Sequence, residues 1–386
     1  MVIVAISFFV HGGTALLTIF DDQHIVTRKR LLSLANALKE AAEPGFEETT
    51  TVSLWRDFLS EHQIPISWAI DGHSPVVDVG LFGHAKKSVV VTADLDAVGM
   101  ITGEGWVCEH TCGHYAQSVH ALGLALLLHT YGGLEDVAVR IIGCPGEECR
   151  PVYDIDYPLP FIPGKQRLLE DGWFNGADAV LSTHLADHLS AGWVQMVDGA
   201  EGMVGLRLRM PSFVPDDYRP LSMRTYAGFL EEWQKEIRRI TGSPQLKVRA
   251  RPIRTGIELW TGFPRELAST QMNAVNDILS QLASHTIVEV ELISSYAPLH
   301  QSSWLQEIAE SVLKKEEAPI HIHHLPELPG STDLGNVSQA YPVFQLFIGG
   351  TSGVTHERDF RVVDEQFALL WPIQWLMNMI QELAVN

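Results

Sequence analysis

Hydrophobic residues recur along the chain with two different spacings, and these spacings predict an alternation of helices and strands. Apolar positions three and four residues apart are typical of helices, whereas short unbroken runs of β-branched and other apolar residues are typical of buried strands. The predicted helices are residues 26–42, 51–62 and 116–129, and the predicted strands are residues 88–93, 137–143, 179–182 and 343–348. Because strands that alternate with helices along a chain form parallel sheets, this order predicts an α/β domain with a largely parallel sheet.

The pattern changes in the middle of the chain, where six predicted elements follow one another in the order βαββαβ. These elements are residues 202–210, 221–240, 245–250, 255–260, 263–283 and 286–293. Such an order is that of a ferredoxin-like unit, which can fold by itself. Residues 313–383 then return to helix, strand and helix. We therefore predict the first part of the α/β domain at residues 1–198, an inserted domain at 199–297 and the second part at 298–386.

Composition agrees with a folded chain of more than one domain and excludes some partners. A chain of 386 residues exceeds what one compact core usually holds. Its 46% hydrophobic and 19% charged residues are typical of a globular protein rather than a disordered one. The net charge of −20 repels phosphate backbones, so we expect no nucleic-acid partner.

Targeting signals and cysteine usage favour the cytoplasm. The apolar residues 1–20 are interrupted by His11, Gly12 and Gly13 and carry no basic leader, so we expect a strand or a loosely held tail and no membrane span. All four cysteines lie between residues 108 and 149 rather than spread along the chain. Clustered thiols beside acidic residues suit a reducing compartment.

The candidate chemistry lies in two short segments. His110, Cys112 and His114 are each two residues apart, and the acidic pair Glu147 and Glu148 follows the predicted strand 137–143. A thiolate and imidazoles bind zinc, and a neighbouring glutamate can either bind the ion or accept a proton from a water beside it. Both segments lie near the carboxyl ends of predicted strands, where open α/β sheets place their sites. The sequence therefore predicts a hydrolytic metal site.

Two other interpretations compete with this one. A single cysteine or histidine is more often a core residue, and adjacent glutamates are more often a charged surface. A structural zinc held by Cys108, Cys112, Cys144 and Cys149 is the second alternative. Its spacings suit a zinc ribbon poorly and leave the histidines and acids without a role.

Several of these segments together resemble the M20 metallopeptidases, and most closely their amidohydrolase branch, subfamily D. The segments that carry the resemblance are residues 92–97, 110–114, 146–148, 176–184 and 330–333, with His356 and the more N-terminal residues 42–48. The run 330–338 is similar in particular to aminobenzoyl-glutamate hydrolases and β-alanyl-lysine dipeptidases. The resemblance covers the two α/β parts, whereas the insert is similar only in the order of its elements.

The resemblance implies a zinc-peptidase-like α/β catalytic domain, an inserted ferredoxin-like lid and dimerisation domain, and two divalent ions, zinc or manganese. The metal ligands it implies are Cys112, His114, Glu148, His184 and His356. Cys112 would bridge the two ions, Glu147 would act as general base and then as proton donor, and Asp96 would orient a ligand. The implied reaction is hydrolysis of the amide bond of a small N-acyl, aryl or aminoacyl amino acid or a dipeptide, by a homodimer.

Departures from the family pattern keep a second function open. No histidine follows the strand that begins at Met203, although the family's lid supplies one there to stabilise an oxyanion, and Tyr115 replaces the acid or amide that usually follows the Cys-Gly-His triplet. Asp94 stands where other branches place a histidine ligand. The alternative is therefore a non-catalytic or repurposed relative that binds metal and a ligand.

Other residues with the same chemistry have simpler expected roles. Arg207, Arg209 and Arg251 could meet a substrate carboxylate, but we expect surface solvation for each. The histidines at positions 321, 323 and 324 resemble a metal cluster, yet we expect part of a strand and loop. His188 is expected at the surface or behind the site.

Overall fold

Two large β-sheets organise the part of the chain that the structure describes, beside three sheets of two strands each. The larger of the two carries the helices of the α/β part. The computed structural model describes residues 25–385 apart from 210–227, 240–246, 266–288 and the single positions 104, 153, 155, 229, 237, 254, 255, 264 and 329. The α/β fold expected from the alternating pattern is confirmed. Among the described residues, no helix combines the length and apolar character that crossing a membrane requires.

The larger sheet has eight strands in the order β1-β2-β6-β3-β7-β16-β8-β15. Its strands are β1 (Ser67–Ala69), β2 (Ser74–Val79), β3 (Lys87–Asp94), β6 (Val137–Cys144), β7 (Ala179–Leu185), β8 (Trp193–Val197), β15 (His321–Leu325) and β16 (Val343–Ile348). The central strands β6, β3, β7 and β16 pair in parallel, whereas β2 and β8 join them antiparallel. The parallel strands read as continuous apolar runs because helices cover both faces of the sheet.

Seven described helices cover the larger sheet, and they differ in how much of their surface is buried. They are α1 (Ile25–Glu40), α2 (Thr49–Glu61), α3 (His114–Thr130), α4 (Gly164–Glu170), α5 (Ser303–Lys314), α6 (Leu334–Ser338) and α7 (Trp371–Val385). Helix α3 is buried almost all round because it lies between the sheet and other helices. Helix α5 buries one stripe only, from Leu305 to Leu313, as an amphipathic surface helix should. Its position shows that the helix of the C-terminal part begins earlier than residue 313.

The smaller sheet belongs to the predicted insert and has four antiparallel strands in the order β11-β12-β10-β13. Its strands are β10 (Gly202–Arg209), β11 (Lys247–Ile253), β12 (Gly256–Phe263) and β13 (Glu289–Tyr296). The first strand of the unit thus lies between the third and the fourth, as a split βαββαβ arrangement requires. Residues 230–236 are helical within the first predicted helix, and most of the second predicted helix lies outside the described residues.

Short strands complete the structure, and several of them carry loops toward the site. They are β4 (Val98–Thr102), β5 (Gly105–Glu109), β9 (Gly199–Ala200), β14 (Leu299–His300), β17 (Thr351–Ser352) and β18 (Arg361–Val362). Strands β9 and β14 pair where the chain enters and leaves the smaller sheet. The predicted strand around His321 is confirmed as β15, an edge strand on which the His321 ring stacks on Trp193 at 4.7 Å.

Candidate metal centre

A sharp turn before helix α3 brings Cys112 and His114 to the same side of the chain. Gly113 between them adopts a left-handed conformation with φ of 85°, which glycine adopts without strain. A Cβ atom at Gly113 would also come within 2.9 Å of a Leu185 side-chain carbon. The glycine is therefore required both by the backbone and by the packing, and it fixes the directions in which its two neighbours point.

The other predicted ligands come from different strands and loops. Glu147 and Glu148 follow the carboxyl end of β6, and His184 lies at the end of β7. His356 lies on the loop between β17 and β18 with a positive φ of 68°, and its backbone N–H donates to the Thr111 carbonyl at 2.9 Å. The strand ends expected to carry the site thus do so, whereas His356 reaches it from a loop.

The structure brings together all the residues predicted as ligands, in three overlapping groups. The groups are Cys112 with His114 and His184, Cys112 with Glu148 and His356, and His114 with Glu147 and Glu148. Within each group the potential ligand atoms lie within 4.8 Å of one another. Cys112 Sγ is 3.3 Å from His184 Nε2, and His356 Nε2 is 3.2 Å from Glu148 Oε1. Cys112, His114 and Glu148 each belong to two groups, and the two groups that share Cys112 together contain all five predicted ligands.

Polar atoms without hydrogen-bond partners indicate that this donor set fits a metal. Among the described residues, His114 Nε2 is buried and makes no hydrogen bond, and buried Glu148 Oε1 has only the charged contact with His356. Leaving a buried polar group unpaired costs about 1–3 kcal/mol, and a metal ion would remove that cost. A thiolate, imidazoles and a carboxylate are the ligands that zinc and similar divalent ions prefer. The residues present therefore fit the ions that the family resemblance implies.

Asp96 orients two members of the cluster from behind. Its Oδ1 atom lies 3.2 Å from His114 Nδ1, and its Oδ2 atom accepts the Glu148 backbone N–H at 2.8 Å. His184 is held in a similar way, because its Nδ1 atom lies 2.7 Å from the Leu185 carbonyl oxygen. Contacts of this kind leave the Nε2 atoms of both histidines facing the cluster.

The electrostatics of the site push the pKa values of the two neighbouring glutamates apart. Burial, and then the negative charge of Glu148, raise the pKa of Glu147 well above its ordinary value. Burial would also raise the pKa of Glu148, but the charge and hydrogen bond of His356 lower it to about 2. Two carboxyl groups with separated pKa values can take different roles, one as a proton carrier and the other as a permanent anion.

The pKa of the Cys112 thiol is lowered well below its ordinary value. Burial alone would raise it, and the nearby charges of His114, His184 and His356 outweigh that effect. A low pKa yields the thiolate, which is the form that binds metal. Cys108, Cys144 and Cys149 are free thiols with pKa values raised by burial. None of them joins a possible ligand group among the described residues, so the described structure does not support a four-cysteine zinc site.

A buried lysine beside the cluster is the feature that sequence reasoning missed. Lys165, at the start of α4, is fully buried. Its ammonium contacts Asp94 and lies 2.5 Å from Asp333 Oδ1. Its backbone N–H donates to Asp333 Oδ2 at 2.9 Å. Asp94 is thereby engaged by Lys165 and belongs to none of the three ligand groups. A lysine at the start of a short helix is ordinarily exposed, so no pattern along the chain indicates its burial.

A cavity of about 740 Å³ joins the cluster to the smaller sheet. Residues of the cluster line it, together with the loop 330–332 and side chains of β10, β11 and β12. Arg207 is buried rather than exposed as expected, because its guanidinium binds Glu258 at 3.0 Å. Arg251 binds the same carboxylate, and Arg209 pairs with Glu291 at 3.3 Å.

Tyr115 and the remaining candidate histidines lie outside the ligand groups among the described residues. Tyr115 is buried, and its ring lies 5.6 Å from that of His110 in an edge-to-face contact. Burial lowers the pKa of His110 to about 4, so this histidine is neutral at pH 7. Within the part of the chain that the structure describes, the histidines of β15 join no metal-binding group. The ring of His188 accepts the Gly353 N–H at 3.2 Å, outside the cluster.

The fold is α/β, and a thiol, imidazoles and carboxylates lie together near the ends of its strands. These two features are typical of α/β proteins that bind metal. The particular family follows from comparison with known proteins. The model of Peptidase family M20/M25/M40 matches residues 90–371, so the chain belongs to that family. The resemblance stated from its motifs is thereby confirmed.

Named relatives are similar over part of their length. The chain is 26% identical over 182 residues to an N-acetylcysteine deacetylase of Bacillus subtilis (strain 168), which covers 44% of this chain and 43% of that protein. It is 24% identical over 178 residues to a p-aminobenzoyl-glutamate hydrolase chain of Escherichia coli (strain K12), covering 42% and 34%. The matched region thus spans less than half of either relative.

Solved structures share the fold over nearly the whole chain. A dinuclear metal-binding peptidase of the M20 family from Bacillus subtilis superposes with a TM-score of 0.62 at 17% identity, covering 93% of this chain and 99% of that one. An aminobenzoyl-glutamate utilization protein from Klebsiella pneumoniae gives a TM-score of 0.61 at 14% identity, covering 95% and 98%. At such low identity these likenesses show the fold alone.

Proposed function

We propose that this protein is a metal-dependent amidohydrolase that cleaves the amide bond of an N-acyl, aryl or aminoacyl amino acid. The observation that carries the proposal is the pair of ligand groups that share Cys112, with Glu147 beside them at one end of a cavity. Family membership and the names of the deacetylase and hydrolase relatives support the same reaction class.

The proposed ligands of two divalent ions, zinc or manganese, are Cys112, His114, Glu148, His184 and His356. Such ions, when bound, polarise the amide carbonyl and make a water more acidic. Cys112 is the proposed shared ligand because the two groups that contain it together hold all five proposed ligands. Its lowered pKa and that of Glu148 keep both groups in the anionic form that binds a cation.

Glu147 is the proposed proton carrier. Its Oε2 atom lies 4.0 Å from His114 Nε2, and its raised pKa lets the carboxylate accept a proton from water and return it to the leaving amine. Asp96 holds the His114 imidazole so that Nε2 faces the cluster. The Tyr296 hydroxyl donates to the Glu147 carbonyl at 2.9 Å and fixes the backbone that carries the proton carrier.

The smaller sheet supplies the proposed lid, because side chains of its strands line the cavity that contains the cluster. We keep the boundaries 1–198, 199–297 and 298–386 as the proposed first catalytic part, insert and second catalytic part. Assembly as a homodimer through the insert and a cytoplasmic location are further proposals, supported by the family resemblance and by the clustered free thiols.

Metal content and turnover together test this function. We expect close to two ions per chain in protein purified without added metal, retained in Glu147→Gln and lost in Cys112→Ala. Glu147→Gln should reduce turnover of an N-acyl amino acid at least about 10²-fold, as loss of a general base commonly does. Cys108→Ala and Glu317→Gln are matched controls, since Cys108 lies outside the ligand groups and Glu317 is an exposed acid.

The outcomes separate this function from the non-catalytic alternative, which the missing lid histidine favours. Two bound ions without turnover of any N-acyl amino acid or dipeptide in a broad panel would favour a binding protein. One firmly held zinc that survives His184→Ala or His356→Ala would contradict the two-ion site, and with it the hydrolase.

A further inference from the structure

Residues 42–48 carry part of the family resemblance, and the proposed function assigns them no role. They lie between α1 and α2, and Glu48 is the residue directly before α2. Carboxylates at the start of a helix ordinarily interact with the first backbone N–H groups of that helix. Glu48 is fully buried, yet its side chain makes no hydrogen bond of this kind. Its position therefore needs another explanation.

The Glu48 side chain binds a distant turn instead, because another acid binds the start of α2. The Glu43 carboxylate accepts hydrogen bonds from two backbone N–H groups in the first turn of α2, at 2.8 and 2.9 Å. Glu48 Oε1 accepts the backbone N–H of Gly146 at 2.8 Å, across 98 residues of chain. Gly146 directly precedes Glu147, the proposed proton carrier. Glu48 thus contacts the turn that carries the two adjacent acids of the site.

The loop before α2 also packs tightly against this turn. A Cβ atom on Gly45 would lie 2.8 Å from the Gly146 Cα atom, and a Cβ atom on Gly146 would lie 2.6 Å from a ring carbon of Phe46. Phe46 has a positive φ of 62°, which a phenylalanine rarely adopts. The Arg167 guanidinium lies over its ring, 4.2 Å from the centre. Backbone strain of this kind persists only where surrounding contacts hold it, and it is frequent beside functional sites.

Burial isolates the contact between Glu48 and the turn from water. Glu48 Oε2 is buried and has no hydrogen-bond partner among the described residues. Burial, and then the negative charge of Asp96, raise the pKa of the Glu48 carboxyl well above its ordinary value, which favours the neutral form. The Gly146 carbonyl is held as well, since it accepts the backbone N–H of Gly164 at 3.4 Å. The residue before Glu147 is therefore held at both its N–H and its carbonyl.

We propose that Glu48 is a positioning residue, which holds the turn at Gly146 so that Glu147 and Glu148 face the candidate metal centre. The inference rests on the proposed function and adds to it a side chain that acts only through the backbone of this turn. Because the two acids directly follow Gly146, a shift of its backbone moves both carboxylates relative to Cys112. A displacement of about 1 Å can lower a rate about 10²-fold.

Hydrogen exchange of the Gly146 amide, measured at residue resolution on the full chain without added metal, tests the contact itself. Glu48→Met removes the acceptor while keeping a side chain of similar length, and should speed the exchange of this amide about tenfold. Glu48→Gln keeps an acceptor oxygen and matches the neutral carboxyl in shape, so the exchange should stay within about threefold of the wild-type rate.

Zinc titration against a chromophoric chelator and steady-state kinetics test the consequence for the site. Glu48→Met should weaken zinc binding about 10- to 100-fold and lower kcat by a similar factor with little change in KM, as loss of a residue that supports metal ligands commonly does. Glu48→Gln should keep both quantities within about threefold of the wild type. Glu48→Asp withdraws the acceptor by one methylene group and should give intermediate losses, which provides a second test if Glu48→Met does not fold.

Two matched variants separate positioning from general damage. Glu47→Met changes the neighbouring acid of the same loop, whose side chain is exposed and pairs with Arg150 at 2.8 Å. It should leave the Gly146 exchange rate, the zinc affinity and kcat unchanged. Phe58→Leu changes a buried residue of α2 and should lower the free energy of unfolding in urea while leaving zinc affinity and kcat unchanged.

An unchanged exchange rate of the Gly146 amide in Glu48→Met would overturn the proposal. A Glu48→Gln variant that loses as much zinc affinity as Glu48→Met would also overturn it, and so would an equal loss in Phe58→Leu, since such losses reflect stability rather than the contact. Exchange and zinc affinity are read without turnover. A protein that shows the expected changes in both but hydrolyses no amide would therefore refute the proposed function and leave the role of Glu48 standing.

Discussion

Replacing Lys165 by methionine removes a buried positive charge while keeping a side chain of similar length. The ammonium contacts Asp94 and Asp333, which are themselves buried, so the substitution leaves two carboxyl groups facing a hydrophobic side chain. These groups join the end of β3, the start of α4 and the loop before α6. The variant therefore tests how much this ion-pair cluster beside the candidate metal centre contributes to the free energy of unfolding.

The structure sets the size of the expected loss. Removing one partner of a buried ion pair costs about 3–5 kcal/mol, because the remaining charge is left uncompensated. Asp333 keeps the hydrogen bond from the backbone of residue 165, and Asp94 keeps the one from Gln117 Nε2 at 3.2 Å. We therefore expect a loss near the lower end, about 3 kcal/mol of unfolding free energy at pH 8.

The pKa values of the two aspartates indicate how the loss of stability should change with pH. Burial raises the pKa of Asp333 to about 6 even with Lys165 present, and Lys165 opposes that rise. A raised folded-state pKa contributes stability at low pH that is lost as the pH rises through about 6. Lys165 lowers the pKa of Asp94 and opposes the rise in the pKa of Asp333. Without Lys165 the pKa of Asp333 rises further and that of Asp94 rises as well, so the two carboxyl groups keep their protons to higher pH than in the wild-type protein and fewer buried charges remain at pH 5 than at pH 8. Lys165→Met should therefore cost less at pH 5 than at pH 8.

Urea unfolding of the wild-type protein and the variant at both pH values measures the difference, and groups that titrate alike in both proteins cancel. Lys314→Met is the control, because Lys314 is exposed and its ion-pair partner among the described residues is Glu310, at 2.9 Å on the same helix. We expect a change within about 0.5 kcal/mol. The triple variant Asp94→Asn, Lys165→Met, Asp333→Asn should recover much of the loss. A loss below about 1 kcal/mol at pH 8, or a larger loss at pH 5, would refute the reasoning.

Two further substitutions test the support of Glu147. Gly164→Ala places a Cβ atom 1.8 Å from the Pro145 carbonyl oxygen, so we expect a loss of about 2 kcal/mol or more in urea unfolding together with a lower kcat. Gly228→Ala, where a Cβ atom meets no described residue within 4 Å, should cost nothing, and equal losses would contradict this account. Tyr296→Phe removes the hydroxyl that donates to the Glu147 carbonyl, and should cost about 1 kcal/mol and lower kcat with little change in KM. An unchanged kcat in steady-state kinetics would show that this hydrogen bond does not position Glu147.

The sequence by itself determined the features that depend on local spacing. The spacing of apolar residues indicates which segments form buried strands and helices. The central strands and the first three helices therefore lie close to where the pattern predicted them. Cys112 and His114 are close because they are two residues apart around a glycine, and Glu147 and Glu148 follow a strand end. The candidate metal centre could be predicted from these segments because strand ends of an α/β sheet meet at one edge.

Only the tertiary structure decided the features that depend on which distant side chains meet. His356 reaches the cluster on a loop held by the Thr111 carbonyl, which spacing along the chain does not indicate. Lys165 is buried because Asp94 and Asp333 come from separate segments to surround it. Arg249 and Arg251 read alike in sequence, yet Arg251 pairs with Glu258 on the neighbouring strand, whereas Arg249 makes no ion pair with a described residue. Whether two charged side chains pair depends on the distance between them in space. For residues far apart in sequence, the tertiary fold sets that distance, whereas the local sequence pattern determines only the helices and strands.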